Sequence, residues 1–262
     1  MNRLDHTPLC TIAGSDPTGG AGLQGDLKTF AAHGARGTAV VAAITVQGAR
    51  GLARVLPVPP DLVAEQVAVV LEEVRPRAWK TGMLWDAPTV RAVAAALAKR
   101  GGAALVVDPV LSATAGGDLL RADALPALKD ALFPLADLVT PNLLEAARLL
   151  GRSALLDGEV EDAARSLLAL GCRAVLLKGG HTGGEQAVDV LATAGGLTRF
   201  ALPRLPGANV HGTGCALSAS IAVRLGRGET VEAAVKGAKA YVHRAIAEAV
   251  RAGTGLVHAV PA

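Results

Sequence analysis

Short runs rich in valine, alanine, leucine and isoleucine recur through the chain, each followed by a longer stretch with the spacing of an amphipathic helix. The runs fall at residues 9–13, 39–46, 77–80, 104–108, 137–140 and 174–178. The helical stretches fall at 22–33, 60–74, 87–100, 122–132, 142–150 and 159–170. Strands joined through helices lie parallel in one sheet, with the helices packed on its faces. The alternation therefore predicts an α/β fold with a mostly parallel central sheet. After residue 178 the pattern changes. Runs at 186–192 and 197–202, split by Ala-Gly-Gly, predict a hairpin, and helices at 215–225 and 230–250 close the chain. No repeat, low-complexity tract or long linker interrupts it, so residues 1–262 are expected to form a single domain.

Aromatic residues make up only 2% of the 262 residues and hydrophobic ones 51%, so the core must be aliphatic, as suits a parallel sheet under alanine-rich helices. The net charge of +3, from 26 basic and 23 acidic residues, is small and dispersed, which argues against nucleic acid as a partner. Cys10, Cys172 and Cys215 are far apart and form no CxxC pair, against both a zinc site and a disulfide framework. The first ten residues lack the apolar core of a signal peptide, and no apolar run reaches membrane-spanning length. A cytoplasmic protein with no membrane partner is the expectation.

In open α/β sheets ligands bind beyond the carboxyl ends of the strands. Gly14, Gln47, Lys80 to Met83, Asp108, Asn142 with Glu145, and Lys178 all fall at or just after such ends. Two glycine-rich loops join them. The first, GSDPTGGAGLQGD from Gly14 to Asp26, holds a GxxxxG, but Gly20 and Ala21 stand where a P-loop needs Lys and Ser or Thr. It also holds a GxGxxG from Gly20 to Gly25, set five residues too late for a dinucleotide turn, and the next strand ends in Gln47 rather than an acid. What remains is a mobile loop that opens a helix and is suited to covering a small ligand. The second loop, HGTGC, leads into a helix. Gly212 and Gly214 leave the amides from Gly212 to Cys215 free to face an anion at the positive end of the helix dipole. Leu217, Ile221 and Leu225 supply the buried face of that helix.

HGTGC, together with TIAGSDPTGGAGLQGDLKTF, KTGML, DPVL, TPNLLEA and LLKGGH in that order, resembles the hydroxymethylpyrimidine/phosphomethylpyrimidine kinases of the ribokinase-like superfamily. The resemblance runs from about residue 9 to residue 250. It implies a ribokinase-like three-layer sandwich and transfer of the γ-phosphoryl group of ATP, with Mg²⁺, to a pyrimidine alcohol and to its monophosphate in thiamine biosynthesis. Gly212, Thr213, Gly214 and Cys215 would be catalytic, with Cys215 where related sugar kinases carry an aspartate. A thiol at a helix N-terminus is expected to have a lowered pKa and could accept the hydroxyl proton. Lys178, Asn142 and Thr213 would hold the nucleotide, and Asp108 and Glu145 the metal. The NxxE pair is expected to present both side chains on one helix face.

On the substrate side the resemblance points to Gln47, Gly14, Met83 and Val110, with Asp26 near the hydroxymethyl group. A carboxamide complements both the N–H donor and the ring-nitrogen acceptor of a 4-aminopyrimidine, as Gln or Asn reads adenine. The family often forms homodimers, and that is the expectation here. Two departures stand out: Gly48-Ala49 follows the glutamine where the family has Asn-Thr, and the loop 112–116 lacks the family's lysine. The second weakens the expected grip on a phosphorylated acceptor. Rival readings are a pyridoxal kinase, whose ring lacks the amino group that Gln47 would match, and a catalytically silent vitamin-binding or regulatory module.

Overall fold

The computed structural model describes residues 6–48, 51–112, 116–179, 184–205, 210–255, 260 and 262. Ala49 and residues 113–115, where the chain departs from its family, lie outside them, as does Asn209. The first half alternates β1 (Pro8–Ser15), α1 (Gly22–Ala32), β2 (Arg36–Gly48), β3 (Gly51–Pro57), α2 (Pro60–Glu73), β4 (Ala78–Thr81), α3 (Ala87–Leu97) and β5 (Ala104–Val107). The segment from Ala122 to Leu135 is a chain of short turns: 3₁₀, the single α-turn α4 (Leu125–Ala127), a π-turn and 3₁₀ again. Then come β6 (Leu138–Val139), α5 (Leu143–Leu149), α6 (Val160–Leu168), β7 (Ala174–Leu177), the hairpin β8 (Gln186–Thr193) and β9 (Gly196–Pro203), α7 (Thr213–Gly226) and α8 (Val231–Ala252).

All nine strands form one sheet in the order β3-β2-β1-β4-β5-β6-β7-β8-β9. From β2 to β7 every pairing is parallel, while β3, β8 and β9 run antiparallel to their neighbours. Period-two alternation with both faces apolar explains the sheet's burial. Leu105 and Val107 belong to the apolar layer that takes in α2, α3, α5 and α6, whereas Val106 between them belongs to the layer that takes in α1, α7 and α8. Valine, leucine and alanine supply nearly all of both layers.

Two expectations need correcting. The helix expected at 122–132 is broken, because Pro126 and Pro134 remove amide donors that a continuous helix needs. The strand β3 was not foreseen: it is a partly exposed edge strand with no apolar alternation, and it ends in proline, as edge strands can.

The helix that opens at HGTGC is buried nearly all round, not along one stripe. Ala216 to Val223 are all buried between the sheet and α8, and Leu225 is only half-buried. Gly226 lets its last turn rest on β1 and β4, where a Cβ would sit 2.9 Å from Leu9 and 3.3 Å from Ala78. No helix among the described residues is long and apolar enough to cross a membrane.

Candidate active site

The first glycine-rich loop is braced by a buried carboxylate. Asp16, fully buried just past β1, accepts hydrogen bonds from the Thr18 amide at 2.9 Å, the Thr18 hydroxyl at 2.8 Å and the Ala21 amide at 2.9 Å. His211 Nε2 lies 3.0 Å from Oδ2, the oxygen that also accepts from the Ala21 amide. Burial works to raise the Asp16 carboxyl, yet the bonds from Thr18, His211 and Ala21 outweigh it and hold the pKa below the usual carboxylate range. Asp16 thus ties the first loop to the second across 195 positions of sequence.

The second loop turns on Gly212, at φ 91°, the left-handed region that glycine enters without strain. A Cβ there would collide with the Gly20 carbonyl, so the two loops touch backbone to backbone. Both α1 and α7 begin without a side-chain cap. Their first-turn amides have no partner within the helix, and Ala21, Gly22 and residues 212–215 line one cavity of about 270 Å³. Two positive helix ends therefore converge on one place, an arrangement made for anions.

Cys215 faces this cavity, and the structure overturns the expected lowering of its pKa. Burial pushes the thiol up to about 11, outweighing the pull of Lys80 and of a hydrogen bond from the Gly22 amide, while Asp26 and Asp108 push it further up. The thiol is protonated at neutral pH in the free protein.

The remaining residues enter from strand ends. Lys178, just after β7, donates to Asp108 Oδ1 at 3.2 Å. Burial works against its charge, but Asp108 and Glu145 outweigh burial and hold the ammonium above its ordinary range. Asp108, just after β5, also accepts from the Thr140 and Ser218 hydroxyls, each at 3.2 Å. Asn142 and Glu145 do share a face, but they spend it on each other. The Asn142 side chain accepts from the Glu145 amide and Glu145 from the Asn142 amide, a capping box that starts α5. The second Glu145 oxygen accepts from the Leu111 amide at 3.3 Å. Burial raises the Glu145 carboxyl, with Lys178 opposing and Asp108 adding.

Gly14, Gln47, Met83, Val110 and Thr213 all line the same cavity. The Gln47 carboxamide, on β2, makes no hydrogen bond among the described residues and is free for a ligand. Val110 sits at φ 37°, a strained conformation for a β-branched residue. Asp26 is the one expected site residue that the cavity does not reach. It is fully buried behind Lys80, and its oxygens are taken by Lys80 and Thr11.

Sequence reasoning placed Lys80 at a strand end without giving it a role, and it missed His211 and Lys239. His211 stands next to the glycines it steadies. Lys80 is the lone charge in the apolar run from Ala78 to Met83. Lys239 pairs with Asp189 at 2.6 Å in the cavity wall, and Asp189 also accepts from the Gly179 amide beside Lys178. A lysine inside an otherwise apolar strand was a readable signal; the other two depend on partners that no local pattern reveals.

The sequence pattern of the phosphomethylpyrimidine kinase family matches residues 16–260. The hydroxymethylpyrimidine/phosphomethylpyrimidine kinase of Rhizobium meliloti is 45% identical over 253 residues, covering 95% of both chains. The thiamine biosynthesis bifunctional protein ThiED of Geobacter sulfurreducens is 43% identical, and the chain spans 50% of its length. Among solved structures, the phosphomethylpyrimidine kinase of Clostridium difficile superposes with a TM-score of 0.79 at 36% identity, over 91% of this chain and 99% of that one. The pyridoxal kinase of Bacillus subtilis, solved as an ADP complex, gives 0.83 at 31% identity, over 90% of each chain. These matches run over nearly the whole chain, and the chain belongs to the phosphomethylpyrimidine kinase family, with the ribokinase-like fold of its solved relatives.

Proposed function

We propose that the protein transfers the γ-phosphoryl group of ATP to 4-amino-5-hydroxymethyl-2-methylpyrimidine and to its monophosphate, in thiamine biosynthesis. The observation that carries this reading is one cavity lined by both the unpartnered Gln47 carboxamide and the amides of residues 212–215 with Lys178. Gln47 reads the aminopyrimidine edge, and Gly14, Met83 and Val110 enclose the ring. The amides around Gly212, Thr213 and Gly214 hold the transferring group, and such positioning with charge stabilisation is most of what phosphoryl transfer needs. The bond from γ-phosphorus to the bridging oxygen of ADP breaks as the bond to the acceptor oxygen forms. When the acceptor is the alcohol, its proton passes to the thiolate form of Cys215, the minor form at neutral pH.

Thr213, Asn142 and Lys178 bear on the nucleotide. The donor set also fits Mg²⁺, with Asp108 and Glu145 the residues that would hold it. Mg²⁺ keeps several of its waters and takes phosphate oxygens, so two carboxylates on the cavity wall would suffice to hold it beside a bound nucleotide. When bound, the ion would offset charge on the phosphates. The reading includes a cytoplasmic enzyme and a homodimer. The second part draws on the exposed Ile44, Val46 and Leu56 of β2 and β3, which are 51%, 56% and 56% accessible.

Pyridoxal is the second reading, favoured by the structural likeness to a pyridoxal kinase. A coupled assay of ADP release on the pyrimidine, its monophosphate and pyridoxal, side by side, decides between them. Turnover of both pyrimidines is expected; turnover of pyridoxal alone would sink the pyrimidine assignment.

A further inference from the structure

We propose that Lys80 is a catalytic residue of the acceptor site, its ammonium clamped by Asp26 and offering its remaining N–H to the acceptor oxygen beside Cys215. The proposal takes its reaction from the kinase reading above and its geometry from the protein alone. Lys80 is fully buried, yet it lines the cavity with Gly14, Gly82 and Cys215. Its Nζ donates to both Asp26 oxygens, at 3.0 and 2.8 Å, and the Thr11 hydroxyl donates to Asp26 Oδ2 at 2.6 Å. An ammonium has three donors. Two are used on Asp26, and the third has no protein partner among the described residues.

The pair is hard to explain as packing. Ala78, two residues before Lys80 and on the same face of β4, belongs to the apolar layer under α1 and α7, and a leucine would continue that layer. Burying two charges is costly even when they are paired. Burial outweighs the bonds from Lys80 and Thr11 and raises the Asp26 carboxyl, but Asp26 in turn holds the Lys80 ammonium above its ordinary range against burial, and we take the pair as charged. Space is kept for the ammonium as well: a Cβ on Gly82 would lie 3.0 Å from Nζ.

The groups that face Cys215 are Lys80 from β4, Asp26 from α1, Asp108 after β5 and Lys178 after β7. Asp26 is screened by the lysine it holds, and Asp108 by Lys178 and two hydroxyls. Both lysines keep donors unused, and since the reading above gives Lys178 to the nucleotide, Lys80 is the cation left for the acceptor oxygen. In the transfer, the thiolate form of Cys215, the minor form at neutral pH, takes the alcohol proton as the oxygen bonds to phosphorus. The Lys80 proton stays on nitrogen, and its fixed charge stabilises negative charge on both the oxygen and the sulfur.

The test is the paired variant Lys80→Met with Asp26→Asn, which removes both charges and leaves no lone buried ion. Turnover of the alcohol should fall by ~10²-fold or more, the loss seen when a donor to a developing oxyanion is removed. Affinities for ATP and the pyrimidine, read by calorimetry, should stay within about threefold. Alkylation of Cys215 by iodoacetamide, measured without nucleotide, should slow several-fold. Unchanged turnover with unchanged alkylation overturns the proposal, and so does a loss confined to binding. If the paired variant does not fold, Lys80→Ala is assayed with added ethylammonium, where restored turnover is expected and its absence is fatal. A wild-type protein that phosphorylates none of the acceptors would refute the kinase reading instead, while the alkylation rates still report on Lys80.

Discussion

Cys215 is where the sequence and the folded protein disagree most usefully. Its place at a helix N-terminus argues for a thiolate, yet burial leaves it a thiol with a pKa near 11. If Cys215 takes the alcohol proton, turnover of the alcohol should climb with pH between about 7 and 9, as the thiolate fraction grows. Cys215→Ala should flatten that rise and cut the rate by ~10²-fold at about pH 8. The monophosphate is different, because its acceptor oxygen has a pKa of about 6 and is already ionised. The same substitution should therefore spare the second phosphorylation, and equal losses on both acceptors would remove Cys215 from the role of base. Cys215, Gln47 and Lys178 were legible in the sequence because strand ends and glycine turns mark their places. His211 with Asp16, and Lys80 with Asp26, were not, since their partners lie 195 and 54 positions away and only the fold brings them together.

Strands and helices with a strong apolar period stood out in the sequence, most of them to within a few residues, because both faces of the central sheet are covered and its strands are dense aliphatic runs. Where that period is weak, the sequence is silent: β3 is half in solvent, and the stretch from Ala122 to Leu135 changes helix type between two prolines. One buried histidine couples the helices of the second layer. His33, at the end of α1, stacks on Tyr241 of α8 with ring centroids 4.5 Å apart and lies 2.9 Å from the Ser220 hydroxyl of α7. Burial, reinforced by Arg224, Arg227 and Arg244, lowers its pKa from 6.5 to about 4. Between those two values the unfolded chain binds the proton and the folded chain does not, so stability falls as pH drops from about 6.5 to about 4, and this contribution is constant above and below. The loss is at most about 3 kcal/mol. Urea unfolding at about pH 7 and about pH 5 should show it, and His33→Gln, which cannot titrate, should reduce the difference.

A single nine-stranded sheet separates two aliphatic layers, and its carboxyl edge gathers the whole candidate site. The layers account for the low aromatic content: alanine-rich helices lie close to the strands, and no large ring is needed to fill the gap. The apolar outer face of β2 and β3 is the exception, and the homodimer reading assigns it to a second copy. Light scattering should then give a mass of twice 26.3 kDa, and Ile44→Lys should shift the population toward 26.3 kDa without lowering the melting temperature by more than a few degrees. A monomeric wild type would exclude the dimer. The cradle at residues 212–215 has a consequence of another kind. Its binding groups are peptide amides, present whatever side chains stand there, so a truncation scan across the loop would pass over the anion site almost without a signal. Hydrogen exchange would see it directly, because those same N–H groups should stop exchanging when phosphate fills the space between the two helix ends.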